Sequence, residues 1–220
     1  MGELAVPVHW MTPSVPAAGA GGSGLGFASP TAPCRLVAEF GEDAGIAVIG
    51  IQGQAEREQA RLAIRAAIVE ALSQLSGLPL QRISLYGEPG EVPWALLDAP
   101  AGRRRAWLAI SHDGELSVAA IGLHGAVGID VTQVLAIPDW RPVAQDYLGP
   151  EVAAQLAALP QHAHVHAFAR AWTEREARLK CLGRELTEWS AEGDRDLDAC
   201  RCLPLALPEG YVGALTLPPS

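Results

Sequence analysis

The strongest constraint on the fold is a β-hairpin signal in the middle of the chain. AWLAIS (106–111) and ELSVAAIG (115–122) are two apolar runs with the length and composition of strands. Between them lies HDG, and its Asp113-Gly114 pair is a strong signal for a hairpin turn. The pattern therefore predicts two antiparallel strands joined by a tight turn.

A third apolar run follows the hairpin and carries a carboxylate. After a second turn comes AVGIDV (126–131), with Asp130 inside it. If the three runs form a meander, the first and third strands run in the same direction, and His112 and Asp130 lie at one edge of the sheet. Side chains alternate between the two faces of a strand, so Asp130 is expected on the same face as Ala126 and Gly128. The small size of these two residues predicts room for a ligand. An ionised carboxylate buried there needs a positive partner, which the run itself does not offer.

Two long segments have the period of amphipathic helices. EREQARLAIRAAIVEALSQLSG (56–77) repeats its apolar residues at near-helical spacing, and Gly77 stands where the helix is expected to end. AFARAWTEREARLKCLG (167–183) has a similar pattern. A shorter helix is predicted at 151–159, and GIAVIGI (45–51) is predicted to be a buried strand.

A second carboxylate, Glu176, lies on the apolar stripe of the 167–183 helix. The stripe is formed by Phe168, Trp172 and Leu179. Lys180 lies one turn beyond Glu176, and Arg175 stands beside it. One interpretation is a surface ion pair between Glu176 and Lys180, worth a few tenths of a kcal/mol.

The other interpretation is a metal site. Two inward carboxylates with a histidine and basic residues nearby match a hard divalent cation that holds a phosphorylated ligand. Mg²⁺ in proteins takes one or two carboxylates and fills its other positions with phosphate oxygens and water. On this interpretation the positive partner of Asp130 is a metal ion.

The composition excludes several classes of protein. The chain has 220 residues, and no apolar stretch approaches the roughly 20 residues that span a bilayer. A formal charge of −9 is unfavourable for binding nucleic acid. The N-terminus lacks the basic start of a secretory signal, so a cytoplasmic protein is expected. The four cysteines are scattered and are expected to be reduced and structural.

Three further motifs carry little weight. GAGGSG (19–24) spells a dinucleotide-binding pattern, but prolines follow where its helix should run. The histidines of HAHVHAF (162–168) match zinc spacing, but no other ligand is close in sequence, and they are expected to lie at the entry to a helix. The basic triplet at 103–105 is expected to be a solvated loop.

Three blocks, in this order, resemble the signature of a known family. AISHDG, VGIDV and FARAWTEREARLK are similar to the three signature blocks of the 4'-phosphopantetheinyl transferases, and of the Sfp type in particular. That type has Ser-His, then Gly-(Ile/Val)-Asp, then Trp-(Ser/Thr)-x-(Lys/Arg)-Glu-(Ala/Ser)-x-x-Lys. Here the last block reads WTEREARLK (172–180), and LYGEPG (85–90) resembles the family's Tyr-Gly-Lys-Pro turn.

The resemblance implies an α+β fold of two similar α/β halves related by pseudo-twofold symmetry, with coenzyme A in the cleft between them. We expect a poorly ordered or loosely docked leader at 1–34, an N-terminal half at 35–123 and a C-terminal half with the metal site at 124–220. The implied reaction is the Mg²⁺-dependent transfer of the 4'-phosphopantetheine arm of coenzyme A to a serine of an apo acyl or peptidyl carrier protein. It releases adenosine 3',5'-bisphosphate. A monomer is expected because the chain holds both halves.

The resemblance also implies roles for individual residues. Asp130 and Glu176 would ligate Mg²⁺, and Glu176 would act as general base toward the carrier serine. Lys180 completes the implied catalytic set and would bind a coenzyme A phosphate. The other implied coenzyme A contacts are Ser111, His112, Arg175, Tyr86, Gly87 and Pro89.

Two positions depart from the family's pattern. Thr132 stands where the Sfp type usually has a third acidic metal ligand, and a water is expected to fill that place. Glu88 stands where the turn usually has Lys, which shifts the expected binding of the coenzyme A 3'-phosphate to the basic triplet at 103–105 or to Arg57 or Arg61. These departures keep open an alternative function, a catalytically weak homologue that binds coenzyme A or a carrier protein in a regulatory or scaffold role.

Overall fold

The computed structural model describes residues 5–11, 45–53, 56–87 and 90–219. The GAGGSG motif, Cys34, Glu88 and Pro89 lie outside these ranges, so what the sequence predicts for them stays a prediction.

The described residues form ten strands and five α-helices. The strands are β1 (Val6–Pro7), β2 (His9–Trp10), β3 (Ile46–Gln52), β4 (Ile83–Tyr86), β5 (Trp94–Ala99), β6 (Gly102–Asp113), β7 (Leu116–Gly122), β8 (Gly128–Gln133), β9 (Arg201–Ala206) and β10 (Tyr211–Leu217). The helices are α1 (Arg57–Ser76), α2 (Trp140–Val143), α3 (Pro150–Ala158), α4 (His164–Cys181) and α5 (Arg195–Asp198). By its internal contacts the chain divides into two compact units, Pro7–Gly125 and a second formed by Ala126–Ser220 with the chain up to Val6.

The Pro7–Gly125 unit contains a six-stranded sheet in the order β2-β3-β7-β6-β5-β4. The predicted hairpin is confirmed, because β6 and β7 pair antiparallel with His112 opposite Ser117 and Asp113 opposite Leu116. Its turn is Gly114-Glu115, one residue later than the predicted pair. The basic triplet at 103–105 was predicted to be a loop, but it lies within β6, since this strand extends beyond its apolar core.

The first long helix, α1, covers one face of this sheet. Its predicted extent is confirmed, and it ends at Gly77, whose φ of 70° is the left-handed conformation that glycine adopts most easily. Ile64, Ile68 and Leu72 are completely buried against the sheet. Full burial of such a side chain contributes about 1.5–3 kcal/mol to the stability of the folded state. These three residues therefore contribute much of the stability of this unit's core.

Residues 5–11 belong to the predicted leader, yet they contribute two short strands. Strand β2 pairs in parallel with β3, and the Met11 backbone N–H continues the ladder by donating to the Gly50 carbonyl at 2.8 Å. Strand β1 joins the other sheet beside β9. Val6 and Met11 are buried. Two-residue strands have no period of their own, so the sequence did not predict them.

The predicted three-stranded meander is wrong in its third strand. Strand β8 pairs antiparallel with β10 in a four-stranded sheet of the order β1-β9-β10-β8. The physical reason is that both edges of β7 are already occupied, one by β6 and the other by β3 from much earlier in the chain. His112 and Asp130 therefore lie in different sheets.

The unit that contains β8 is completed by helices. Helix α4 packs on β8 and β10, and a small apolar cluster around Leu148, Leu156 and Phe168 joins α3 to α4. The two sheets with their helices confirm the α+β class, while the pseudo-twofold symmetry stays a prediction. The predicted placement of the histidine run is also confirmed: His162 lies in a 3-10 turn and His164 begins α4.

The helices were also compared with the length and hydropathy of membrane-spanning segments. Within the described ranges, none of them is both long enough and apolar enough to cross a bilayer.

Candidate functional site

The position of α4 over β8 depends on Gly128. A Cβ atom at this glycine would collide with the carbonyl oxygen of Ala177 and lie 2.7 Å from the backbone nitrogen of Cys181. The expectation that the small residues beside Asp130 leave room for a ligand is therefore wrong at Gly128. The missing side chain instead lets the helix backbone approach the strand closely.

This approach brings Lys180 to Asp130. The Lys180 ammonium donates to Asp130 Oδ1 at 2.6 Å, between side chains that are 30% and 9% exposed. A charge-assisted bond of this length meets the requirement of a buried carboxylate for positive charge. In the structure, the positive charge that meets Asp130 therefore comes from the end of α4.

Glu176 lies one turn before Lys180 on the same side of α4. The pKa of its carboxyl is raised, first by burial and then by the negative charge of Asp130, while Lys180 and Arg175 act in the opposite direction. The two carboxylates are thus close enough to repel each other. Such repulsion between acids is relieved either by a proton or by a bound cation.

The donor set fits a divalent cation that is held only in part by protein. Within the described ranges there is no group of three or more histidine, cysteine or acidic residues that could hold a metal. Two carboxylates remain, and two are enough for Mg²⁺ when water and ligand phosphate occupy its other positions. Thr132 follows Asp130 on the same face of β8 and is half-buried.

Arg175 does not have the predicted position of a ligand-binding residue. Its guanidinium is buried and donates to Asp194 Oδ2 at 2.9 Å, to Asp194 Oδ1 at 3.4 Å and to the Thr187 carbonyl at 2.9 Å. The two charged side chains are only 7% and 9% exposed. Arg175 lies about 100° around the helix from Glu176, and it fixes the segment after α4 rather than extending the carboxylate site.

A cavity of about 180 Å³ lies on the opposite side of α4 from Glu176. Glu174 and Arg178 line it, together with Trp189 and Leu197. Neither Asp130 nor Glu176 reaches it, so this cavity is separate from the carboxylate site.

Ser111 and His112 lie at the end of β6, in the Pro7–Gly125 unit. Ser111 is buried, and the Nδ1 atom of His112 is 2.7 Å from the Ser117 hydroxyl oxygen. This bond fixes the orientation of the imidazole. Ser117 was not predicted from the sequence, although the two-residue turn sets the register that places it opposite His112. The predicted coenzyme A contacts of Ser111 and His112 stay predictions.

Tyr86 and Gly87 lie at the end of β4 in the same unit. Tyr86 is 41% exposed, and its ring stacks on Trp94 with the centroids 4.2 Å apart and the planes 13° from parallel. Arg65 of α1 donates to the Gly87 carbonyl at 3.2 Å. Arg65 was not predicted from the sequence, because no local pattern connects the middle of α1 with this turn.

The described cysteines behave as structural residues. Cys181, Cys200 and Cys202 are thiols without a disulfide. Burial raises the pKa of Cys181 to about 12, and it is also the main cause that raises the pKa values of the other two. Thiols of high pKa are poor nucleophiles near neutral pH, which confirms the structural interpretation.

Comparison with known proteins relates one part of the chain to a family. Residues 126–216 match the family described as the 4'-phosphopantetheinyl transferase superfamily. The match begins just before β8 and ends within β10, so it contains Asp130, Glu176 and Lys180. The part of the chain that carries Asp130, Glu176 and Lys180 is therefore similar to the 4'-phosphopantetheinyl transferase superfamily.

Individual relatives are named as 4'-phosphopantetheinyl transferases. The chain is similar to a Synechocystis protein named "Putative 4'-phosphopantetheinyl transferase slr0495", with 29% identity over 58% of this chain and 49% of the relative. It is similar to the 4'-phosphopantetheinyl transferase AcpT of Salmonella typhimurium, with 29% identity over 62% of this chain and 65% of the relative. AcpT of Escherichia coli K12 is 29% identical over 59% of this chain and 60% of its own length. The alignments thus span about half to two thirds of these relatives.

Proposed function

We propose that this protein transfers the 4'-phosphopantetheine arm of coenzyme A to a serine of an apo acyl or peptidyl carrier protein. The products are the holo carrier and adenosine 3',5'-bisphosphate. The observation that carries the proposal is the coupling of Asp130, Glu176 and Lys180 within the part of the chain that is similar to the transferase superfamily. The names of the relatives support the same class of reaction.

The residues of the site have complementary roles in this proposal. Asp130 and Glu176 would hold Mg²⁺, which when bound would neutralise the charge of the coenzyme A pyrophosphate. Glu176 accepts the proton of the carrier serine, and its raised pKa makes it a stronger base than an exposed glutamate. Lys180 pairs with Asp130 and presents its ammonium to a coenzyme A phosphate.

A second candidate function is a homologue that binds coenzyme A or a carrier protein without efficient transfer. Thr132 favours it, because a hydroxyl is a poorer ligand for Mg²⁺ than the carboxylate of the Sfp type. The Sfp assignment itself is part of the proposal, since the match to the superfamily does not distinguish its types.

The test is intact-mass spectrometry of apo carrier proteins incubated with the full chain and coenzyme A. Carriers of the fatty-acid, peptidyl and polyketide kinds are assayed with Mg²⁺ and with EDTA. The proposal predicts that at least one carrier gains the mass of one phosphopantetheine group with Mg²⁺ and none gains it with EDTA. If folded protein that binds coenzyme A modifies none of them, the second candidate is correct.

A further inference from the structure

The cavity on the opposite side of α4 from Glu176 has no role in the proposed transfer. It has a volume of about 180 Å³ and lies within the unit that contains β8. Helix α4 lines it over two turns, from Ala171 to Arg178, and α3 lines it with Val152. Trp189, from the segment between α4 and α5, completes the wall. We call this space the α3–α4 cavity.

The apolar part of the lining is suited to a flat ring. Leu148 and Leu197 line the cavity and are buried, and the indole of Trp189 is half-buried. The backbone N–H of Trp189 donates to the Asp146 carbonyl at 2.7 Å. Its indole lies so close to Gly149 that an added Cβ atom would come within 2.7 Å of it. The indole is therefore held in place, where a ligand ring can pack against it.

The charged part of the lining contains two arginines with different surroundings. Arg175 is paired with Asp194 at 2.9 Å. Arg178 is paired more weakly, because its Nη2 atom is 3.9 Å from Glu174 Oε2, beyond hydrogen-bond distance. The other carboxylate oxygen of Glu174 accepts from the Nε atom of Arg170 at 3.1 Å. Of the two cations in the lining, Arg178 therefore has the weaker carboxylate partner.

Arg178 can bind an acceptor without losing a strong contact. Its Nε atom is buried and makes no hydrogen bond with any described residue, and the Cys202 thiol beside its guanidinium is a weak acceptor. A buried donor without an acceptor costs stability, and a ligand that supplies the acceptor recovers this cost. The side chain is 26% exposed, so part of it is accessible to a ligand. A carboxylate is a strong acceptor, because it binds a guanidinium through two parallel hydrogen bonds.

The size and the charge of the cavity together select a small monoanion. A cavity of about 150 Å³ holds one benzene molecule, so this slightly larger cavity admits one ring that carries a carboxylate. A nucleotide is larger, and its several negative charges would be repelled by Glu174, Asp194 and Asp198, which also line the cavity. The first two are paired with arginines, and Asp198 is exposed to solvent that screens its charge. A single negative charge is therefore acceptable beside Arg178.

We propose that the α3–α4 cavity binds a small aromatic carboxylate of about the size of benzoate. The ring lies against Trp189 and the apolar wall, and the carboxylate accepts hydrogen bonds from Arg178. Neither Asp130 nor Glu176 lines this cavity, so the site is separate from the carboxylate site. The inference does not rest on the proposed function.

The test is calorimetric titration of the full chain with benzoate and, separately, with benzamide, which has nearly the same shape but no charge. EDTA is present throughout, so that a metal ion at the carboxylate site does not bind the ligand. Benzoate is expected to bind with a dissociation constant of about 1 mM or lower. Benzamide is expected to bind about tenfold or more weakly, because it lacks the charge-assisted contact. Equal affinities, or no saturable binding of benzoate up to about 10 mM, would overturn the inference.

Two variants locate the site. Ala171→Leu fills part of the cavity without changing any charge, and it is expected to weaken benzoate binding by about tenfold or more. Arg178→Gln removes the guanidinium, and it is expected to bind benzoate and benzamide about equally. Arg195→Gln is the matched control, because it removes the same charge from an exposed residue of α5 that does not line the cavity. This control is expected to stay within about twofold of wild type.

The variants separate this site from other places where a carboxylate could bind. Unchanged benzoate affinity in Ala171→Leu would place the ligand elsewhere and would overturn the inference. Equal losses in Arg178→Gln and Arg195→Gln would indicate a general effect of net charge and would also overturn it. Melting temperatures show whether each variant is folded. If Arg178→Gln does not fold, Ala171→Leu and the comparison of benzoate with benzamide still decide the outcome.

Discussion

At the scale of single residues, the site depends on three charges placed by two elements. Asp130 on β8 meets Lys180 on α4 at 2.6 Å, and Glu176 lies close enough for the charge of Asp130 to raise its pKa. An excess negative charge therefore remains beside a partly buried carboxyl. This arrangement costs folding stability, and such costs are common where a protein is organised to bind a ligand.

The raised pKa of Glu176 predicts a pH dependence of stability in metal-free protein. Because the folded state binds this proton more tightly than the unfolded state, the free energy of unfolding decreases as pH rises from the ordinary glutamate range through the raised pKa. Glu176→Gln removes this decrease. Urea denaturation in EDTA at several pH values measures it, with Glu174→Gln, on the opposite side of α4, as the matched control. A parallel decrease in wild type and Glu176→Gln would contradict the prediction.

Arg175 shows where the reasoning from sequence was incomplete. The helical pattern correctly placed Glu176 and Lys180 on one side of a helix and a cation beside them. It contained no information about Asp194, which lies 19 residues later and binds the guanidinium. A buried ion pair between a helix and a distant irregular segment has no local signal. Lys180 was correctly placed on the side of Glu176, one helical turn away, but its contact with Asp130 of β8 had no local signal either.

Replacement of Arg175 therefore tests a structural role against a ligand-binding one. Arg175→Ala leaves Asp194 buried without its partner, and removing one member of a buried pair costs about 3–5 kcal/mol. We expect a loss of this size in the free energy of unfolding, measured by urea denaturation, with little change in coenzyme A affinity of the folded fraction. Wild-type stability combined with weak coenzyme A binding would restore the ligand-binding role.

At the scale of elements, the close packing of α4 on β8 assembles the site. Strand β8 supplies Asp130, and α4 supplies both Glu176 and Lys180. The two backbones approach each other at Gly128, where the Ala177 carbonyl occupies the space of a side chain. The distance between strand and helix thus determines the distance between the charged groups.

Gly128→Ala is expected to push α4 away from β8. An overpacked core position costs about 1–3 kcal/mol, and here the neighbour is backbone that has little freedom to move. Thermal unfolding should show a lower melting temperature, and transfer activity should fall because the Lys180–Asp130 contact lengthens. Gly125→Ala is the matched control, because no atom lies within 4 Å of its added methyl group. Similar melting temperatures for the two variants would contradict this account.

Elements with local signals were predictable from the sequence, and those that depend on distant pairing were not. Helix α1 and the β6–β7 hairpin follow from the period of their apolar residues and from a turn signal. The partner of β8 is β10, about 80 residues later, and the second edge of β7 is taken by β3. Similarly, the stacking of Tyr86 on Trp94 becomes visible only with the sheet register.

For the whole molecule, we expect the net charge of −9 to influence which carriers the proposed transferase would modify. Carrier proteins recognised through acidic helices meet overall repulsion, which slows their encounter at low ionic strength.

A comparison of carriers of different charge tests this effect. At about 10 mM salt, where the screening length is about 30 Å, we expect faster modification of a less acidic peptidyl carrier than of an acidic fatty-acid carrier. At about 1 M salt the screening length falls to about 3 Å, and the difference should largely disappear. Initial rates by intact-mass spectrometry measure both conditions. Faster turnover of the acidic carrier at low salt would contradict the prediction.

In the proposed function, the carboxylate pair on β8 and α4 carries out the transfer. The most direct measurement is the rate of phosphopantetheine addition by Glu176→Ala, relative to wild type and Glu174→Ala, on the carrier that wild type modifies fastest. Loss of a general base predicts a decrease of about 100-fold or more in Glu176→Ala, while Glu174→Ala stays within about twofold of wild type. Equal rates for the two variants, with Mg²⁺ and coenzyme A saturating, would contradict the claim.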